Sequence, residues 1–170
     1  MCGVYAVLNS IRYLYNLDQK ELEYIFLNIL KILEQKHQLS RFIYEGLSGL
    51  NISQILNYDF IQDKFPVKEK PFYKQKEEKL PYFWELLKNT LDNYGGIFIV
   101  SIGRWDYKND CLSLNHWSTV YKVKDKRIYF YDSYSLKWLD RSKLTTSVEK
   151  NDSTKPYFIS PSYTYYLNKE

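Results

Sequence analysis

The chain predicts an α+β fold in which helices come first and an antiparallel sheet follows. Three observations carry that reading. Apolar residues recur at helical spacing up to about residue 94. The period changes at Ile97-Phe98-Ile99-Val100-Ser101-Ile102, a continuous apolar run. Residues 116–132 then alternate on either side of Asp125-Lys126, as the two strands of a hairpin do. With 170 residues, the chain is read as a single domain, residues 1–170, long enough to bury one core.

Val4, Val7, Leu8, Ile11, Leu14 and Tyr15 define the apolar face of a first helix that opens at Cys2-Gly3. Asp18, with Glu21 three residues on, has the pattern of a capping box. It leads into a second amphipathic helix through Leu22, Ile25, Phe26, Ile29, Leu30 and Leu33, running to about His37 in a charged, solvated end. Residues 39–47 show no decisive pattern. Residues 48–56 read as a turn entering a third helix, with Leu50 or Ile52, Ile55, Leu56 and Phe60 facing inward. Residues 64–79, with Pro66, Pro71 and interleaved Lys and Glu, are expected to be a loop or lid-like insertion. Leu80-Pro81 opens another helix, with Phe83, Trp84, Leu87 and Leu91 on one face and Gly95-Gly96 at its end. Residues 97–102 are a buried strand, and residues 103–115 a polar loop carrying Trp105 and Cys111. The hairpin strands are 116–123 and 127–132, so His116 opens one and Asp132 closes the other. Trp138 and Leu139 mark a short packed segment, and residues 157–167, interrupted by Pro161, an edge strand.

Composition narrows the function classes. A net charge of +4 comes with Lys and Glu interleaved and no block of like charge, so nothing points to nucleic acid. No apolar run approaches the ~20 residues needed to span a bilayer, and no basic-then-apolar signal precedes the first helix, so the expected location is the cytoplasm. Two cysteines, Cys2 and Cys111, make no disulfide framework. Together with His37 and His116 they share no zinc-like spacing, so neither metal nor cofactor is expected.

The chemistry gathers around Cys2. A helix N-terminus presents unpaired backbone N–H groups and the positive end of the dipole, which favour a thiolate. The candidate base is His116. Asp132 lies 16 residues later, and a hairpin turn midway makes the two neighbours at one sheet edge, where a carboxylate would orient the imidazole. If the Cys2 helix packs with its N-terminus at that edge, nucleophile, base and orienting group line up.

The joint pattern is Cys-Gly opening an apolar helix, Asn115-His116-Trp117 opening a strand, and Tyr131-Asp132-Ser133 ending the next. It resembles the papain-like cysteine peptidase superfamily. The order Cys2, His116, Asp132 is similar to that of bacteriocin-leader-processing peptidases and phytochelatin synthases. The wording His116-Trp117-Ser118, Asp132-Ser133 and Cys2-Gly3-Val4-Tyr5 also resembles the SUMO- and NEDD8-deconjugating peptidases, in circularly permuted order. The likeness covers about forty residues in two blocks. It implies a papain-like fold, Cys2 as nucleophile, His116 as base and Asp132 as orienter, with a peptide or protein as substrate. The expected activity is hydrolysis of a peptide, isopeptide or related amide bond through a thioacyl-enzyme. One departure is that papain-like enzymes carry an oxyanion-donating glutamine about six residues before the cysteine, and here only Met1 precedes it. Asn115 or Trp117 would then supply the donor, or the chain would begin upstream, or the protein would be an inactive relative that binds a peptide or protein partner. The same residues also serve a thiol-dependent acyltransferase. Removal of Met1 would instead make Cys2 an N-terminal nucleophile, as in amidohydrolases that begin Cys-Gly, although those continue into strands. Cys111 has no counterpart in these patterns.

Overall fold

The computed structural model describes residues 2–36, 39–40, 48–64, 67–72, 78–133, 135–146 and 152–169. His37 and most of the undecided stretch after it lie outside the described residues, as does Met1. The elements are α1 (Cys2–Tyr15), α2 (Gln19–Gln35), α3 (Gly49–Leu56), α4 (Asp59–Gln62), β1 (Val67–Glu69), α5 (Leu80–Tyr94), β2 (Ile97–Asp106), β3 (Cys111–Val123), β4 (Arg127–Tyr131), β5 (Trp138–Asp140), a 3-10 turn (Arg141–Lys143), β6 (Leu144–Thr146) and β7 (Tyr157–Asn168).

Local chemistry sets the helix ends. The Asp18 carboxylate accepts from the Glu21 N–H while the Glu21 side chain accepts from the Asp18 N–H, so two orphan donors at the start of α2 are satisfied. Ser48 and Asn51 do the same for α3. Proline stands in the first turn of α5, where its missing N–H costs nothing. Gly95 and Gly96, at φ of 68° and 76°, end that helix in backbone that only glycine adopts freely.

The described strands form one sheet in the order β1-β7-β2-β3-β4-β5, antiparallel throughout, with β6 added parallel to β7. The helices cover both faces. On one, Val4, Val7, Leu8 and Ile11 of α1, Ile25 and Ile29 of α2, and Ile52 and Ile55 of α3 pack with Ile97, Ile99, Trp117, Tyr165 and Leu167. On the other, Phe83, Trp84 and Leu87 of α5 pack with Phe98, Val100, Ile102, Val120 and Phe130. Burial on both faces is why β2 begins as an unbroken apolar run rather than an alternating one. The mixed α+β layout with N-terminal helices against a largely antiparallel sheet is therefore as expected.

Four expectations are corrected. The supposed loop of residues 103–115 is mostly strand. β2 continues to Asp106, a four-residue turn follows, and β3 starts at Cys111, so His116 lies within β3 and does not open it. This hairpin overhang is solvated, with residues 111–113 exposed, and so lacks an apolar alternation to announce it. Within residues 64–79, Val67–Glu69 is an edge strand paired with the end of β7, and Phe72 is buried in the core. β7 is no edge strand: it lies between β2 on one side and β1 and β6 on the other. Pro161 is accommodated because Ser160 pairs with Ser101 and Thr164 with Val100, leaving 161–163 outside the β2 ladder, where a missing N–H breaks no pairing.

Candidate active site

α1 is held on β3 by buried polar contacts. The Thr119 hydroxyl donates to the Ala6 carbonyl at 2.8 Å, and the Ser10 hydroxyl reaches the same carbonyl at 2.7 Å while lying 3.2 Å from Thr119. Tyr13, on the outer flank of the helix, rests against the rings of Tyr121 and Tyr131. Asn9 and Ser133 exchange side-chain hydrogen bonds of 3.0 and 3.1 Å, tying α1 to the residue after Asp132. These contacts fix the direction of α1 and so the position of its first residue, Cys2.

β4 ends at Tyr131, opposite Thr119, so the β3 residues before Thr119 have no β4 partner. Into that opening come Cys2 from α1 and Asp132 from the end of β4. His116 Nε2 and Asp132 Oδ2 are 2.7 Å apart, with the two side chains 12% and 2% exposed. The buried Ser118 hydroxyl donates to the same carboxylate oxygen. His116 and Ser118 are two residues apart on one strand and so share a face. The Cys2 thiol hydrogen-bonds to the His116 side chain and accepts from the Trp117 backbone N–H. With Nε2 engaged by Asp132, Nδ1 is the ring atom left for the sulfur.

The electrostatics follow from this geometry. Burial alone would raise the Cys2 thiol, but the hydrogen bonds from His116 and the Trp117 N–H, with the imidazolium charge, outweigh it and bring the thiol below 9.0. Burial alone would push His116 down. The Asp132 hydrogen bond, the Cys2 hydrogen bond and both negative charges outweigh it and lift the imidazole from 6.5 to about 9. The two shifts favour the same state, thiolate beside imidazolium.

Of the expected residues, Cys2, His116 and Asp132 therefore meet in one place. Asn115 is exposed on β3. Trp117 is buried, with its indole against Tyr163 and Tyr165 in the helix-facing core, and it serves the sulfur through its main chain. Cys111 is exposed at the far end of the overhang. The sequence reading missed Ser118, Asn9 and Ser133 as supports. Strand alternation from His116 was the available signal for Ser118, whereas the Asn9–Ser133 pair depends on tertiary packing. Among the described residues no three His, Cys, Asp or Glu side chains are grouped to hold a metal ion, and no helix is long and apolar enough to cross a membrane. No protein-family model, curated protein or solved structure matches the chain.

Proposed function

We propose that this chain is a cysteine hydrolase of the papain-like type, cleaving a peptide, isopeptide or related amide bond through a thioacyl-enzyme. The observation that carries the reading is the hydrogen-bonded line from Cys2 through His116 to Asp132, with the thiol lowered and the imidazole raised. Such polarisation marks an activated nucleophile more than a structural contact, because a buried cysteine without partners is raised and inert.

In this reading the Cys2 thiolate attacks the substrate carbonyl carbon. The N–H groups in the first turn of α1 are the donors at hand for the resulting oxyanion. His116 gives its proton to the departing amine, then takes one from the water that hydrolyses the thioester. Asp132 holds the imidazole in the tautomer that faces the sulfur, and Ser118 holds Asp132.

The test is intact-mass analysis after brief iodoacetamide treatment at pH 6, comparing wild type with Cys2→Ala and His116→Ala. An unperturbed thiol, with pKa ~8.5, reacts slowly there. Fast single labelling that disappears in both variants supports the proposal. Slow labelling, or labelling indifferent to His116, overturns it and leaves a binding module with a relic site.

A further inference from the structure

A groove of about 290 Å³ opens beside His116. Leu114, Leu136 and Tyr157 make its apolar surface, Ser113 and Ser135 add hydroxyls, and among the described residues Arg104 is the one permanently charged side chain on its wall. Arg104 faces Leu114 across the β2–β3 ladder, while Ile102 faces His116, so the guanidinium is carried two residues along the same sheet face from the imidazole. Its carbon lies 5.5 Å from the centroid of the Tyr157 ring, which limits where the guanidinium can point. The Ser113 hydroxyl donates to the Arg104 carbonyl and steadies the backbone there. The nearby carboxylate, Asp106, accepts from the Lys108 and Asn109 N–H groups and the Asn109 side chain of its own turn, and feels the Arg104 charge as a smaller influence. Among the described residues no ion pair includes Arg104.

We propose that this groove seats the leaving-group side of the substrate and that Arg104 selects a carboxylate carried there. The inference rests on the cysteine hydrolase reading. Whatever receives the His116 proton lies against His116, so the segment attached to the departing amine occupies the space next to that ring. That space mixes apolar side chains with hydroxyls and, among the described residues, has one permanent cation and no wall carboxylate. It therefore suits an aliphatic segment bearing a negative charge, either an acidic side chain or a terminal carboxylate. A guanidinium placed near an aromatic ring has its fork to offer to such a group.

The experiment reads this groove by running the leaving-group step in reverse. p-Nitrophenyl acetate acylates Cys2: the thiolate attacks the acetyl carbon, the C–S bond forms and nitrophenolate departs. An added amine then competes with water for the thioester. The C–N bond forms, the C–S bond breaks, sulfur leaves as thiolate, and the amine proton passes to His116. Mass spectrometry gives the ratio of acetylated amine to acetate. Glutamyl-glycine amide and glycyl-glutamate amide are compared with their glutamine counterparts, and glycyl-glycine with its amide, which separates side-chain from terminal carboxylates. The expected preference for the carboxylate form is about threefold to fivefold, the size of one partly exposed ion pair. It is lost in Arg104→Gln, and in Arg104→Glu it reverses toward a lysine-containing amide, a gain that misfolding cannot mimic. Normal acylation with no carboxylate preference, or a preference that survives Arg104→Gln, overturns the groove assignment and leaves the hydrolase reading standing. Failure to acylate Cys2, with Cys2→Ala indistinguishable from wild type, overturns both.

Discussion

Replacing Asp132 with Asn tests the electrostatic core of the site while keeping its shape. Asp132 Oδ2 lies 2.7 Å from His116 Nε2 on a side chain that is 2% exposed, so the amide fits the same space but brings no charge. In the wild type the opposing influence on His116 is burial, and Asp132 heads the interactions that overcome it to give a value of about 9. Without the carboxylate charge, burial is opposed only by the Cys2 contacts, and the imidazole falls below its wild-type value. At pH 7.5 a group titrating at about 9 is almost wholly protonated, whereas one returned all the way to the ordinary ~6.5 is only about a tenth protonated. The imidazolium beside Cys2 is therefore depleted by up to about tenfold, and thiolate labelling near neutral pH falls with it. The chain has two histidines, so an NMR titration of the imidazole signals gives the answer directly once His116→Ala identifies the His116 resonance. The wild-type signal is expected to move near pH 9, and the Asp132→Asn signal at distinctly lower pH. A variant whose His116 still titrates near 9 would refute the argument, because the lift would then come from something other than the carboxylate.

Other outcomes follow from the same contacts. Labelling of Cys2 as a function of pH is expected to rise through a midpoint below the ~8.5 of an unperturbed thiol, and the absence of that displacement would contradict the hydrogen bonds from His116 and Trp117. Cys111→Ser is expected to leave rapid labelling at pH 6 untouched, since Cys111 is exposed and away from the imidazole; loss of labelling would place the reactive thiol at the wrong residue. Thr119→Val removes the donor that reaches the Ala6 carbonyl from β3 and leaves Ser10 short of a partner, at an expected cost of about 1–3 kcal/mol in chemical denaturation. An unchanged midpoint would mean that apolar packing alone holds α1. Gly103→Ala puts a methyl 2.1 Å from the Phe158 ring, so a loss of about 1–3 kcal/mol is expected, with recovery when Phe158 is also cut back to Ala. The same loss in the single and double variants would show that the ring is not what the methyl meets.

The parts of the fold legible in the sequence are those whose cause is local. The Asp18–Glu21 box stops and starts chain within four residues, and the apolar faces of α1, α2 and α5 repeat at the helical period, so each can be read without knowing what it packs against. The elements that escaped depend on partners distant in sequence. Residues 111–113 are strand because β2 pairs with them, and being solvated they need no apolar alternation. β1 is three residues long and carries Lys68 and Glu69, the composition of an edge that discourages further pairing, which in sequence looks the same as a polar loop. Pro161 argued for an edge because proline cannot serve a ladder on both sides. β7 resolves the conflict by lifting residues 161–163 out of register with β2, a solution visible only once both strands are placed.

The candidate site divides along the same line. The three chemical groups are legible because each stands at a place its residue type favours: a cysteine at a helix start, and a histidine and an aspartate joined by hairpin geometry. What couples them electrostatically is supplied by tertiary structure. The main-chain N–H of Trp117 reaches the sulfur where β4 has ended at Tyr131, and the hydroxyl of Ser118 buttresses Asp132 from the same strand that carries the base. The short β4 is thus a requirement of the site. Had it run two residues further in register, residue 133 would stand opposite Trp117 and compete with Cys2 for that edge of β3. The Asn9–Ser133 pair turns residue 133 toward α1 instead. Asn9→Ala, which frees Ser133, is accordingly expected to leave global stability within about 1 kcal/mol, as exposed hydrogen bonds do. It should nonetheless slow Cys2 labelling at pH 6 as the edge closes. Equal labelling rates in Asn9→Ala and wild type would show that β4 stops for reasons of its own.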